Sequence, residues 1–411
     1  MSQTLNETPL GSRLHIAIFG RRNAGKSSLI NALTNQEAAI VSEVAGTTTD
    51  PVRKAMEILP IGPVVIIDTA GIDDSGALGD ARVARTLRVL DQTEMALLVI
   101  DASVGADGQE DDIVARVRAR KLPLIVVVNK IDIHPDDGES VAWARARGLP
   151  VASVSAITRD GIELLKQTMI ANAPSAWSEP TILGDLVGPG DTVVMCIPID
   201  KAAPKDRLIL PQVMTIRDVL DHDACAVTVK ENGLRQALET LGVKPRLVVT
   251  DSQAVLRAAA DTPREVPFTS FSILFARYKG DLVELARGAK AMPRLRPGNR
   301  VLIAEACTHH RQPDDIGKVQ IPRYLRRMAG GELDFQWTSG GGFPEDLADY
   351  HLVVHCGGCM INRKEMLARV ERVRSAGVPI VNYGVLLAAA HGLLERALEP
   401  FPSARLALQE E

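Results

Sequence analysis

Apolar residues in this chain gather in short, nearly unbroken runs, with polar and glycine-rich stretches between them. Leu14-His15-Ile16-Ala17-Ile18-Phe19, Val64-Val65-Ile66-Ile67, Ala96-Leu97-Leu98-Val99-Ile100 and Leu124-Ile125-Val126-Val127-Val128 each predict a buried strand. The same pattern returns at Thr192–Pro198, Ala224–Val229 and Leu247–Asp251, with helical periods over Leu210–Leu220 and Gly233–Leu241 between them. It returns a third time at Val301–Ala304, Leu352–Val354 and Pro379–Tyr383. Alternating strands and helices predict an α/β fold. Proline-rich punctuation at Ala173–Pro180 and Pro263–Pro267 divides it into three segments. The expected boundaries are 1–174, 180–264 and 268–411.

Chemistry sits just after the strands. Leu14–Phe19 runs into Gly20-Arg21-Arg22-Asn23-Ala24-Gly25-Lys26-Ser27, which fits the phosphate-binding pattern GxxxxGK[ST] in its strand–loop–helix setting. Backbone amides of such a loop, including those of Ala24, Gly25 and Ser28, wrap phosphate oxygens. The helix that follows adds its positive end. Lys26 reaches the outer phosphates and the Ser27 hydroxyl binds Mg²⁺. Four further elements follow in order. Thr47 and Thr48, in Ala45–Asp50, suit a loop in which a hydroxyl senses the γ-phosphate through Mg²⁺. Asp68 and Gly71, in Asp68-Thr69-Ala70-Gly71, supply a metal-binding carboxylate and a γ-phosphate amide. Asn129, Lys130 and Asp132 form an NKxD guanine reader, whose carboxylate accepts from N1–H and the 2-amino group. Ser155 and Ala156 complete the guanine loop. Lys26, Thr48, Asp68 and Gly71 are the expected catalytic set for GTP hydrolysis to GDP. Ile72 stands where a water-orienting glutamine would be, so a slow intrinsic rate is expected.

The last third carries His355-Cys356-Gly357-Gly358-Cys359 and, upstream, Cys307-Thr308-His309. Both groups follow apolar runs, at strand carboxyl ends where open α/β sheets hold ligands. Three sulfurs and a choice of histidines suit an iron–sulfur cluster or zinc, and a CxxC alone also suits a dithiol redox pair. Cys196 and Cys225 lie in apolar strands and are expected to be buried and inert. The run Ser339-Gly340-Gly341-Gly342 is expected to be a flexible loop that covers or exposes the cluster, or else a plain turn.

Composition narrows the partners. The chain has 411 residues, 24% charged and 46% hydrophobic, with a net charge of −4 and 3% aromatics. An acidic balance and few aromatics argue against nucleic acid and anionic membrane surfaces. Arg323, Arg326 and Arg327 are expected to form a solvated helix face. Five cysteines do not make a disulfide framework. With a polar start at Met1–Leu10 and no membrane-length apolar run, the expected location is the cytoplasm.

The nucleotide motifs resemble the Era/TrmE branch of GTPases. That resemblance implies a K⁺ ion beside the phosphates, held by Asn23 with Ser42, Val44 and Thr47, and K⁺-stimulated hydrolysis. With the segment Phe268–Asp281 and the CxH…HCxxC pattern, the whole chain resembles the HydF family of FeFe-hydrogenase maturation GTPases. This implies a P-loop GTPase domain followed by two smaller α/β domains, for dimerisation and cluster binding. It implies a 4Fe-4S cluster on Cys307, Cys356 and Cys359, with His309 or His355 as a fourth ligand or a hydrogen-bond donor. It also implies a homodimer that receives a transient two-iron precursor built by the radical-SAM maturases HydE and HydG. The precursor then passes to apo-FeFe-hydrogenase. The competing reading is an Era-type RNA- or ribosome-associated GTPase with a structural zinc tail. A radical enzyme would need CxxxCxxC, which is absent.

Overall fold

The structure is a computed structural model. It describes residues 8–33, 42–44, 52–58, 61–69, 88–135, 138–174, 181–198, 208–306, 315–340, 343–344 and 346–410. The chain forms two compact units, Met1–Glu179 and Pro180–Glu411.

In the first unit the elements are β1 (Leu14–Gly20), α1 (Lys26–Leu33), β2 (Ser42–Val44), β3 (Val52–Ile58), β4 (Gly62–Asp68) and β5 (Met95–Asp101). They are followed by α2 (Gly108–Ala119), β6 (Leu124–Asn129), α3 (Glu139–Ala146), β7 (Val151–Val154) and α4 (Ile162–Ala171). The seven strands order as β2-β3-β4-β1-β5-β6-β7. Strands β4, β1, β5, β6 and β7 run parallel, while β2 and β3 form an antiparallel edge. The unbroken apolar runs follow from this arrangement, because a parallel sheet is covered on both faces. Ile16, Ile18, Val64, Ile66, Leu97 and Val127 pack on one face with α1 and α4. Ala17, Phe19, Val65, Ile67, Leu98 and Val126 pack on the other with α2 and α3.

The second unit holds two four-stranded sheets. The first is β11-β10-β8-β9, from β8 (Thr192–Cys196), β9 (Cys225–Val229), β10 (Leu247–Thr250) and β11 (Phe268–Ser270). The second is β13-β12-β14-β15, from β12 (Arg300–Glu305), β13 (Asp334–Ser339), β14 (Leu352–His355) and β15 (Ile380–Asn382). All pairings in both are parallel. Between the strands lie α5 (Leu210–Asp221), α6 (Leu234–Thr240), α7 (Val255–Asp261), α8 (Phe271–Lys279), α9 (Leu282–Ala289), α10 (Ile321–Ala329) and α11 (Arg363–Ser375). Beyond β15 come α12 (Tyr383–Ala390), α13 (Leu394–Ala397) and α14 (Pro402–Gln409).

Three expectations change here. The boundary at 264–268 divides no compact unit, because Phe268–Ser270 pairs with Val248–Thr250 and so completes the sheet of the preceding segment. One continuous core, from Val193 and Val249 through Leu274 to Val301 and Leu352, joins both sheets. Polar ties reinforce it: Thr269 Oγ1 donates to the Ala397 carbonyl at 2.9 Å, and Arg396 donates to the Ala259, Thr262 and Pro263 carbonyls. Cys196 is buried as expected, but Cys225 is exposed, because it opens the edge strand of its sheet. Gly340 fits the turn rather than the flexible loop, while Gly341 and Gly342 lie outside the described residues. The Gly340 amide donates to the Glu305 carbonyl and its own carbonyl accepts from Arg369 Nη2, each at 2.9 Å. Among the described residues no helix is long and apolar enough to cross a membrane.

α9 crosses β15 so closely that a Cβ on Gly288 would lie 1.8 Å from the Ile380 carbonyl oxygen. In an open helix, glycine-to-alanine substitution stabilises. Here Gly288→Ala should destabilise by about 1–3 kcal/mol through overpacking. Thermal denaturation of the second unit tests this, and an unchanged or raised midpoint would contradict the packing.

Candidate functional site

The phosphate loop leaves β1 through Gly20, whose φ of 151° and tight approach to Val99 O (2.4 Å from an added Cβ) exclude a side chain. Gly25 has φ 89°, and a Cβ there would meet the Asn129 amide nitrogen at 2.2 Å. Asn23 is left-handed at φ 62°, a conformation asparagine tolerates. Lys26 folds back over the loop and donates to the carbonyls of Gly20 and Arg21 at 2.9 and 2.8 Å. Ser28 faces outward on the first turn of α1.

Asn129 ties three loops together. Its Nδ2 donates to the Ala24 carbonyl at 2.9 Å, and its Oδ1 accepts from the Ala156 amide at 3.0 Å. Lys130, at φ 73°, reaches Asp101 Oδ2 at 2.6 Å. Burial opposes ionisation of Asp101, yet its bonds from Lys130 and Ser103 outweigh that cost and hold its pKa below the ordinary range. Ser155 Oγ accepts from the amides of Ile157 and Thr158, which closes the last guanine loop. Asp132 is exposed, beyond the carboxyl end of β6. Near the phosphate end, Ser27 Oγ donates to Asp68 Oδ2 at 3.2 Å, while Asp68 Oδ1 is buried without a hydrogen-bond partner among the described residues. A hydroxyl beside a carboxylate with one unsatisfied buried oxygen is a donor set that fits Mg²⁺. Thr47, Thr48 and Gly71 lie outside the described residues, as does Ile72.

The cysteine turn begins where β14 ends. Cys356 donates its amide to the Ala304 carbonyl at 2.9 Å, and its sulfur accepts from the amides of Ala306 (3.1 Å) and Gly358 (3.5 Å). Ala306 immediately precedes Cys307, which lies outside the described residues with His309. Burial pushes the Cys356 thiol up to about 11. Cys359 is partly buried. Gly358 takes φ 63°, which turns the chain between the two cysteines. Among the described residues no group of three or more potential ligand side chains forms.

His355 is fully buried, and both ring nitrogens are engaged. Nδ1 lies 2.8 Å from the Cys356 carbonyl, which only accepts, so Nδ1 carries the hydrogen. Nε2 lies 3.2 Å from Arg369 Nη1, which only donates, so Nε2 accepts. Burial first, and then the Arg369 charge, lower the imidazole pKa to about 3, which keeps the ring neutral. Ligation by His355 in this arrangement would cost one of these bonds. His351 stands at the opposite end of β14, against the Arg300 backbone.

Several residues around this turn escaped the sequence reading. Arg369, also buried, joins His355 to Glu365 (2.7 Å) and to Gly340. Tyr383 donates to Glu305 Oε1 at 3.0 Å, and burial beside that carboxylate raises its hydroxyl pKa well above the usual range. Gly317 is packed so tightly that a Cβ would meet Tyr383 Oη at 2.3 Å. Lys279 donates to the Ile361 carbonyl, and Arg363 caps the end of α8 through the carbonyls of Arg277, Tyr278 and Gly280. Glu305 carried a signal, as a carboxylate at the end of an apolar strand two residues before Cys307, and Arg369 shares a helical stripe with Met366, Val370 and Val373.

Comparison with known families fits these two ends. A family model described as the hydrogen maturase F dimerization domain matches residues 182–280, and one described as the hydrogen maturase F tetramerization domain matches 283–400. The chain belongs to the hydrogen maturase F family. Its first unit matches a family described as 50S ribosome-binding GTPase over residues 15–130. The first maturase segment contains the sheet β11-β10-β8-β9 and the second the sheet β13-β12-β14-β15. The tRNA modification GTPase MnmE of Chromobacterium violaceum is 37% identical over 158 residues, covering 38% of this chain and 34% of that protein. MnmE of Picosynechococcus is 38% identical over 170 residues, covering 41% and 36%. The chain thus spans about a third of the length of the curated relatives it matches. Among solved structures, the G domain of the Thermotoga maritima FeoB iron transporter is 25% identical over 39% of this chain and 99% of its own, with a TM-score of 0.32. Aquifex aeolicus Era bound to GDP and AlF4⁻ is 19% identical over 61% of this chain and 99% of its own, with a TM-score of 0.33.

Asn129→Ala would leave the Ala24 carbonyl and the Ala156 amide without this partner. Each unmade buried bond costs about 1–3 kcal/mol, so the first unit should lose stability on that scale in denaturant titration. A midpoint equal to that of the parent protein would show that the three loops are held some other way.

Proposed function

We propose that this member of the hydrogen maturase F family is a GTP-hydrolysing scaffold that binds a 4Fe-4S cluster and carries a two-iron precursor to apo-FeFe-hydrogenase. The observation that supports this most directly is the bond from the Ala306 amide to Cys356 Sγ. It ties the strand end that leads into Cys307 to the CxxC turn, in a chain that also carries a complete guanine-nucleotide motif set.

At the nucleotide end, Lys26 exchanges its loop carbonyls for the outer phosphate oxygens of GTP, and Asp132 reads the guanine edge. Ser27 and Asp68 would hold Mg²⁺, with Thr48; the ion neutralises charge developing on the transferred phosphoryl group. The Gly71 amide bonds the γ-phosphate. Asn23, already in the left-handed conformation that turns it outward on the loop, is the assigned K⁺ ligand, and K⁺ would supply charge that an arginine finger gives elsewhere. Ile72 cannot orient water, so turnover without a partner is slow.

At the other end, Cys307, Cys356 and Cys359 would hold the cluster, whose remaining iron offers an exchangeable position for the cargo. Deprotonation of Cys356, held up by burial, accompanies metal uptake. His355 orients the Cys356 carbonyl from one side while Arg369 holds the imidazole from the other, an arrangement that supports a hydrogen-bonding role for His355 over ligation. His309 remains the candidate for the fourth position. Homodimers, or larger assemblies of them, present these sites to the radical-SAM maturases HydE and HydG and to the hydrogenase. The protein works in the cytoplasm, without nucleic acid or membrane.

Protein isolated without oxygen should be brown and contain iron and acid-labile sulfide. Cys356→Ala should abolish both, whereas Cys225→Ala, at the exposed sheet edge, should retain them. Zinc in place of iron would favour the structural-zinc reading, and a chromophore that survives Cys356→Ala would contradict the ligand assignment. GTP turnover should be faster in K⁺ than in Na⁺ and lose that preference in Asn23→Ala; equal rates in both salts would remove the K⁺ assignment.

A further inference from the structure

Arg21 sits in the phosphate loop, where a guanidinium would ordinarily be suspected of contacting phosphate. Here it turns away to the start of α2. Its Nε and Nη2 donate to the two Glu110 oxygens at 2.8 and 2.7 Å, and Nη2 also lies 2.6 Å from Asp107 Oδ1. The Glu110 side chain is only 1% exposed. The same carboxylate accepts the amide of the N-cap residue Asp107 at 2.9 Å, so it closes the capping box and seats the arginine at once. A two-pronged arginine–carboxylate bond to a buried oxygen pair fixes the guanidinium in direction as well as place.

The far end of the same connection is also anchored. Asp101, at the end of β5, receives Lys130 of the guanine reader, and the Ala102 amide donates to the Asn129 carbonyl at 3.0 Å. The stretch from Asp101 to Glu110 therefore touches the base loop at its beginning and the phosphate loop at its end. We propose that Arg21 is a positioning residue for nucleotide binding. Through Glu110 it holds the first arm of the phosphate loop in its binding curve, and the 101–110 segment braces that arm against the guanine loop. The role is not assigned by any of the motifs, which leave Arg21 as a variable position of GxxxxGK[ST]. It rests on the reading that the first unit binds guanine nucleotide.

The experiment measures dissociation of a fluorescent GDP analogue and steady-state GTP hydrolysis for the full chain, the Arg21→Met and Glu110→Gln variants and the Arg21→Met/Glu110→Leu double variant. Removing one partner strands a buried charge and can unfold the unit. The double variant replaces the pair by apolar volume and keeps the fold testable, with circular dichroism as the check. The expected result is on the order of 10- to 100-fold faster GDP release and a correspondingly raised KM in both single variants and in the double variant, the range for a misplaced binding loop. kcat at saturating GTP should stay within about threefold of the parent. A cation acting on the transferring phosphoryl group would instead lose about 10³-fold or more in kcat in Arg21→Met, and Glu110→Gln would spare it; that pattern overturns the proposal. Folded variants that release GDP at the parental rate also overturn it. Failure of the parent protein itself to bind the analogue would overturn the nucleotide-binding reading and the role of Arg21 with it, whereas parental binding with unchanged variants overturns the role of Arg21 alone.

Discussion

A parallel strand buried on both faces can offer chemistry only at its ends, and that constraint organises this protein. The central strands of the three sheets are covered on both faces by apolar packing, so polar side chains collect in the loops beyond their carboxyl termini. β1, β4, β6 and β7 release the phosphate loop, Asp68, the NKxD segment and Ser155 on one edge of the first sheet. β12 and β14, neighbours in register from Val301 and Leu352 to Ala304 and His355, release the segment leading into Cys307 and the CxxC turn at one edge of the third. Sites that are far apart in sequence become neighbours because the strands that carry them are paired.

The two ends are stiffened by different means. The nucleotide loops are cross-linked by amide and ion-pair bonds at the rim: Asn129 to Ala24 and Ala156, Lys130 to Asp101, and Arg21 to Glu110. The cysteine turn is held from behind by buried groups. Arg369 holds His355, His355 holds the Cys356 carbonyl, and Lys279 with Arg363 fastens the outgoing chain to α8. Asn129 and Glu110 are themselves buried, so these rim bonds too are costly to break. Buried contacts of this kind give a fixed frame, because each broken one leaves an unsatisfied polar group away from water.

Much of this was legible in the sequence. The runs at Leu14–Phe19 and Leu124–Val128 marked strands because a two-sided core demands continuous apolar residues, and the motifs after them have few alternative uses. The exact boundary inside the second unit was not legible. Pro263–Pro267 looks like a linker, but Phe268–Ser270 is recruited into the preceding sheet by pairing with β10, a long-range event without local signal. Cys225 looked buried because its neighbours Ala226 and Val227 are apolar, yet edge position is a property of the sheet. Arg369 was missed for a different reason: Met366, Val370 and Val373 mark one buried stripe of α11 on which position 369 falls, but a guanidinium is not expected on the buried side of a helix. The Arg21–Glu110 pair is 89 residues apart, and only the closing of β1 against β5 brings the two together.

The claim on which the functional account rests is that Cys307 joins Cys356 and Cys359 at one metal centre. Differential alkylation with peptide mapping tests it directly, comparing protein loaded with iron and sulfide against protein stripped of both. The account predicts that Cys307, Cys356 and Cys359 become protected together on loading, while Cys225 reacts in both states. Alkylation of Cys307 at the same rate in loaded and stripped protein would contradict it.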